Sequence, residues 1–251
     1  MPNNLPDLTL RQAKVQRHSG VCMNYANEES QGKPANKISI SPSILSADLS
    51  RIGSVLESLE SSGADSVHID VMDGHFVNNI AFGPAFVKSM RRHTALPFKV
   101  HLMIEKPAAY APQFISAGSD LLIFHRETVS DVAGTIDQIE SHGAKAGIAL
   151  NPETQISEAA EFIPRISSLL IMGVNPGFAG QKFIPTVLPK ITEARRLISE
   201  KGLRTGVAVD GGINSATARD AIRSGADELI AATYVFGSEN IADAISSLRN
   251  S

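Results

Sequence analysis

Four times in this chain a glycine, a small residue and a charged residue stand in a row where a helically spaced segment gives way to a strand-like one. These are Gly63-Ala64-Asp65, Gly118-Ser119-Asp120, Gly143-Ala144-Lys145 and Gly225-Ala226-Asp227. Glycine there adopts the left-handed conformation that stops a helix. A stop that recurs at the same point marks a repeated helix-to-strand unit. It limits the chain to folds in which strands and helices alternate.

The rest of the chain carries that alternation. β-rich runs lie near 38–44, 66–72, 97–103, 120–125, 145–150, 168–174, 205–210 and 227–232. Between them, Leu49, Ile52, Leu56 and Leu59 form an apolar stripe at helical spacing. Segments 83–93, 106–117, 130–142, 156–163, 185–201, 214–224 and 238–250 read the same way, with 156–163 the weakest. Eight βα units in about 210 residues predict an α/β fold, a (β/α)8 TIM barrel. A doubly wound open sheet is the alternative. No G-x-G-x-x-G opens a helix here, so a dinucleotide fold gains no support.

With 251 residues, 43% of them hydrophobic, the chain can fill one such core. The net charge of −3 gives no sign of a nucleic-acid or anionic-membrane partner. No run approaches the roughly 18 apolar residues of a membrane span. Cys22, the single cysteine, excludes an intrachain disulfide framework and a Cys-rich zinc site. It fits a reducing compartment, and a cytoplasmic location is expected. Residues 1–37 are polar, rich in Asn, Gln and Ser, and lack an apolar signal core. Asp7, Glu28 and Glu29 argue against an organelle transit peptide. The composition predicts a disordered extension over 1–37 and one barrel over 38–251, with Met23 as an alternative start.

Strand ends carry the chemistry. In His68-Ile69-Asp70-Val71-Met72, the apolar Val67, Ile69 and Val71 share one parity and must face the helices. His68, Asp70 and Met72 then face the barrel axis. His101 and Met103 form a similar pair, and Asp210 ends the seventh run before Gly211-Gly212. Barrel active sites lie at the C-terminal strand ends, so His68, Asp70, His101 and Asp210 are predicted to converge. Two imidazoles and two carboxylates suit a divalent Zn2+, Fe2+, Mn2+ or Co2+. A strand-end His also serves as a hydrogen-bonded core residue, and Asp before Gly as a turn residue, so spacing alone leaves the metal site open.

A second constellation reads as an anion cradle. Asn175-Pro176-Gly177-Phe178-Ala179-Gly180-Gln181 follows the sixth run and Gly211-Gly212 the seventh. Small residues let backbone N–H groups approach a phosphate, though a tight turn needs the same residues. His125, Arg126 and Glu127 end the fourth run and receive no role from spacing.

These motifs together resemble the ribulose-phosphate 3-epimerase family. Ser41–Asp48 resembles its opening strand, and His68–Phe76 its H-x-D-V-M-D-G-x-F signature. His101-Leu102-Met103, Asn151-Pro152-Glu153-Thr154, Met172–Gln181 and Asp210-Gly211-Gly212-Ile213 match later strand ends in the family's order. The resemblance implies a ribulose-phosphate-binding barrel with one divalent metal per subunit, held by His68, Asp70, His101 and Asp210. It implies that Asp70 and Asp210 are the acid–base pair, that Ser43 and His101 contact a sugar phosphate, and that Met72, Met103 and Met172 line the site. It also implies a homo-oligomer. The implied reaction is inversion at C3 of D-ribulose 5-phosphate through an enediolate, with the metal as Lewis acid. Allulose 6-phosphate, a hexulose phosphate, is the closest competing substrate, and a non-catalytic sugar-phosphate-binding paralogue is a third possibility.

Departures from the family's pattern are local. Asn78 stands where Pro is common, and Ala81 near a usual hydroxyl residue. Lys99 stands where an acidic residue usually precedes the third-strand histidine, and Gly173 replaces Ser or Thr. The usual Gly-Ser phosphate contact aligns with Ala232-Thr233, whose first Cβ is expected to limit close approach or positive φ.

Overall fold

All eight expected runs form strands in a computed structural model that describes residues 37–251. They are β1 (Ser39–Pro42), β2 (Val67–Asp73), β4 (Phe98–Met103), β5 (Leu121–His125), β6 (Lys145–Leu150), β7 (Ser168–Met172), β8 (Gly206–Asp210) and β9 (Glu228–Ala231). A short unpredicted strand, β3 (Ile80–Ala81), folds back antiparallel on the end of β2. The sheet order is β1-β9-β8-β7-β6-β5-β4-β2-β3, with all pairs except β2–β3 parallel. A parallel bridge from Ser43 to His68 joins the end of β1 to β2 and closes the sheet into a barrel. The expected extension over 1–37, with Cys22 and Met23, lies outside the described residues except for Lys37.

The helices are α1 (Ile52–Ser61), α2 (Pro84–Met90), α3 (Pro107–Ser116), α4 (Val132–Ser141), α5 (Leu188–Glu200), α6 (Ser215–Arg223), the four-residue α7 (Thr233–Phe236) and α8 (Ile241–Arg249). The expected helix over 156–163 does not form. Two 3-10 turns, Ile156–Glu158 and Ile163–Arg165, stand in its place. Pro164 disfavours the α conformation at Ile163, the last residue of the expected helix. Ile156, Ala159 and Ile163 are nevertheless buried, so their spacing reports a buried face without reporting a helix. Among the described residues no helix is long and apolar enough to cross a membrane.

The repeated glycine triplet has a structural reason beyond stopping helices. Gly63, Gly118, Gly143 and Gly225 all take positive φ, from 78° to 109°. At three of the four junctions the aspartate that follows does further work. Asp65 accepts from the N–H of Ile40 at 2.9 Å, Asp120 from that of Phe98 at 2.7 Å, and Asp227 from that of Val207 at 2.8 Å. Each carboxylate therefore holds the start of an adjacent strand. Each is also paired with an arginine: Arg249 with Asp65 at 2.8 Å, Arg91 with Asp120 at 3.2 Å, and Arg195 with Asp227. Because these aspartates are partly exposed, solvent screens the arginine pairs, and each pair contributes about 0–1 kcal/mol. Lys145 ends the fourth triplet and cannot accept.

Two apolar layers result from strand parity. Val67, Ile69, Val71, Val100 and Leu102 pack outward, in one cluster with Leu56, Leu59, Val87 and Phe114 of the helices. Inside the barrel, Leu121, Ile123, Ala149, Leu170, Met172, Ala208 and Ile230 fill the axis. Below the strand ends this interior is not wholly apolar. Lys99 Nζ reaches Glu228 Oε2 at 2.6 Å, with side chains 20% and 10% exposed. Lys99 thus faces the axis, on the same parity as His101, and its partner on β9 answers its charge.

Candidate active site

Because Asp70 lies beside His101 in the β2–β4 register, strand pairing alone brings a carboxylate against an imidazole. Asp70 Oδ1 is 3.1 Å from His101 Nδ1 and 3.3 Å from His68 Nε2. Asp210 Oδ2, at the end of β8, stands 3.7 Å from each of the same two nitrogens. One donor atom from each of His68, Asp70, His101 and Asp210 lies within 4.8 Å of all the others. His68 and His101 are fully buried, Asp70 nearly so, and Asp210 only partly. The four predicted residues therefore converge. Their donor set of two imidazoles and two carboxylates suits a divalent ion.

The electrostatics divide the carboxylates. Burial, reinforced by the negative charge of Asp70, pushes Asp210 up to about 7. Burial also opposes ionisation of Asp70. The charge of His68 and hydrogen bonds from His101 and His68 overcome that and hold it well below the carboxylate range. Ser43 Oγ adds a hydrogen bond to Asp70 Oδ2 at 2.5 Å. Burial lowers His101 to about 4. His68 moves up: burial works against its charged form, but Asp70, Asp210 and Glu228 outweigh it.

Above these groups a small cavity of about 40 Å³ is lined by Ser43, Met72, Met103, Met172, Asp70 and Asp210, with Gly177, Phe178, Gly211 and Ala232. A larger cavity of about 280 Å³ shares Phe178, Asp210, Gly211 and Ala232 with it and adds Gly180, Gln181, Gly212 and Thr233. Of the expected cradle, Asn175 and Ala179 line neither. Gly212 shows why glycine is needed here: its φ is +68°, and a Cβ would lie 2.4 Å from the backbone nitrogen of Phe183. Ala232 departs from the expected obstacle. Its φ is −104°, outside the left-handed region that favours glycine, and it lines both cavities. Gly173 also has a local cause, since a Cβ there would meet Gly211 O at 2.6 Å and the Phe183 ring at 2.8 Å.

Sequence spacing left His125 and Glu127 without a role. In the structure His125 Nε2 is 2.9 Å from His101 Nε2, and His125 Nδ1 is 3.2 Å from Glu127 Oε2. The available signal was parity: His125 shares the inward face with Leu121 and Ile123. Arg126 instead binds loop carbonyls of Glu158 and Val129 at 2.9 Å each.

The profile of the ribulose-phosphate 3 epimerase family matches residues 39–236. The chain belongs to the ribulose-phosphate 3-epimerase family. The chain is 46% identical over 215 residues to a protein of Bacillus subtilis named ribulose-phosphate 3-epimerase, covering 85% of this chain and 99% of that one. It is 44% identical over 216 residues to the chloroplastic ribulose-5-phosphate-3-epimerase of Arabidopsis thaliana, covering 85% and 77%. Among solved structures, the tryptophan synthase A-subunit of Pyrococcus furiosus superimposes with a TM-score of 0.64 at 13% identity, covering 86% of this chain and 99% of that one. That likeness extends to the barrel alone. Within the epimerase family, the match takes in every strand end that carries the converging residues.

Proposed function

We propose that this protein interconverts D-ribulose 5-phosphate and D-xylulose 5-phosphate by moving a proton at C3. The observation that carries the reading is the convergence of two carboxylates, Asp70 and Asp210, on one cavity beside His68 and His101, in a chain of the epimerase family. Inversion next to a ketone requires a base on one face of the carbon and an acid on the other. Asp70 takes the C3 proton, and Asp210 returns one to the opposite face. In the reverse direction the roles exchange.

The remaining residues position and shield. Ser43 steadies Asp70 through its 2.5 Å hydrogen bond. Met72, Met103 and Met172 present polarizable surfaces to a planar enediolate without a competing proton. Gly177, Gly180, Gly211 and Gly212 offer backbone donors to the phosphate, with Ala232-Thr233 beside them. His68, Asp70, His101 and Asp210 would hold one Zn2+, Fe2+, Mn2+ or Co2+. When bound, that ion supplies Lewis-acid stabilisation of negative charge on the substrate oxygens, worth several kcal/mol.

The reading carries with it a single catalytic barrel over 38–251, a cytoplasmic location and a homo-oligomeric state. Its test is turnover of purified, metal-loaded protein on ribulose 5-phosphate and on allulose 6-phosphate. Preference for the pentulose supports it. Preference for the hexulose assigns the related activity, and no turnover on either assigns a binding paralogue.

A further inference from the structure

Behind His101, on the side away from Asp70 and Asp210, a line of groups runs outward to the barrel rim. His101 Nε2 faces His125 Nε2 at 2.9 Å, and His125 Nδ1 faces Glu127 Oε2 at 3.2 Å. Glu127 Oε1 accepts from the Asn151 N–H at 2.8 Å and from the Thr154 hydroxyl. Lys190 pins that loop by donating to the carbonyls of Asn151 and Pro152 at 2.8 and 2.7 Å. The Phe76 ring packs on His125 with centroids 4.7 Å apart. None of these groups touches the cavities above the carboxylates.

We infer that His125 and Glu127 are positioning residues that fix His101 in the one neutral tautomer able to bind a divalent metal. The inference rests on the reading of His68, Asp70, His101 and Asp210 as metal holders. An ionised carboxylate only accepts, so each group facing Glu127 must donate. His125 therefore carries its proton on Nδ1 and presents the Nε2 lone pair to His101. One proton fits between two ring nitrogens 2.9 Å apart, and it must belong to His101 Nε2. His101 is then left with its lone pair on Nδ1, the atom that faces His68, Asp70 and Asp210.

Asp70 pulls the other way. Its Oδ1, 3.1 Å from His101 Nδ1, would draw a proton to that nitrogen and close it to a metal. Polarity along the line is a contest between two carboxylates. The Asn151–Thr154 loop fixes Glu127 in place, and an ion held by Asp70 would remove the competing acceptor, so the polarity set by Glu127 is the one in which His101 can be a ligand. That gives the Asn151-Pro152-Glu153-Thr154 motif a function at a distance. An outer partner that fixes a ligand's tautomer typically changes metal affinity by about 10–100-fold.

Glu127→Gln tests this with little change in shape. The glutamine keeps its oxygen toward Asn151 and Thr154, which donate, and turns its NH2 toward His125. His125 must then accept at Nδ1, and the polarity of the line reverses. Zn2+ dissociation constants, measured by competition with a chelator, should weaken about 10–100-fold, while the metal-free variant keeps its melting temperature. His125→Gln, whose amide can accept from His101 and donate to Glu127, should bind Zn2+ more tightly than His125→Leu. Ring 15N spectra of the Zn2+-loaded wild type need no variant to fold. They should show the proton on Nε2 of His101 and on Nδ1 of His125. An unchanged Zn2+ affinity in Glu127→Gln and His125→Leu, or a wild-type His125 protonated on Nε2 alone, overturns the inference. A wild type that binds no Zn2+ overturns the metal reading as well, so the two failures are distinguishable.

Discussion

A carboxylate oxygen of Asp70 lies within 4.8 Å of one of Asp210, yet in the metal-free protein their surroundings push the two apart, Asp70 below the carboxylate range and Asp210 up to about 7. Two like charges at that separation in a buried site do not ionise together easily. Asp70 is the one stabilised as an anion because Ser43, His68 and His101 all crowd it. Asp210 stands farther from those imidazoles, at 3.7 Å from each, and burial opposes its ionisation. Two carboxylates so differently set suit opposite roles in the proposed inversion.

Asp70→Asn and Asp210→Asn should each reduce epimerisation by at least about 10²-fold. They should differ in partial reactions. A variant that retains the base for one epimer can still exchange that epimer's C3 proton with solvent deuterium. NMR of each epimer in D2O reads this. Wild-type inversion by either variant, at confirmed metal content, would reject the pairing.

Asp210 also makes a pH-dependent prediction for the metal-free protein. Its pKa rises from an ordinary 3.8 to about 7 on folding. Between those values the folded state holds a proton that the unfolded state has lost. This group's contribution to stability therefore falls as pH rises from 3.8 to 7 and stays low above. Asp210→Asn should melt higher than wild type at pH 8, with the difference shrinking towards pH 4. A difference that is flat with pH would contradict the raised pKa.

Lys99 and Glu228 should behave as a buried pair. Lys99→Met leaves Glu228 charged inside the barrel and should destabilise the fold by about 3 kcal/mol. Lys99→Met with Glu228→Leu should recover most of that loss. Denaturant unfolding of the single and double variants measures the coupling. A double variant no better than the single would show that the two side chains act independently.

Gly173→Ser, which restores the type common in the family, should lower kcat/KM about 10-fold by displacing Gly211. Combined with Phe183→Leu, the loss should shrink, because the Phe183 ring occupies the space a Cβ needs. Equal losses in both backgrounds would remove Phe183 from the explanation.

The legible part of the molecule was that governed by short periods. Strand parity placed His68, Asp70 and Met72 inward, and the glycine triplets marked four junctions correctly. What failed was of longer range or of mixed cause. The buried spacing of Ile156, Ala159 and Ile163 looked helical, but it is met by two 3-10 turns instead. Glu228 explains Lys99 only once β9 has curled round to face β4 across the axis, 129 residues away. His125 and Glu127 took meaning from His101 and the Asn151–Thr154 loop, contacts that no local pattern encodes. Ala232 looked obstructive because a glycine position suggests positive φ, whereas its observed φ is negative.

The most direct test of the central claim follows one proton. Metal-loaded protein is incubated with D-ribulose 5-phosphate in D2O, and both sugars are examined at C3 by NMR. The account predicts D-xylulose 5-phosphate carrying a solvent deuteron at C3, with turnover abolished by chelation and restored by a first-row divalent ion. Xylulose 5-phosphate formed with the original C3 proton retained, or undiminished turnover in protein shown by elemental analysis to be metal-free, would contradict it.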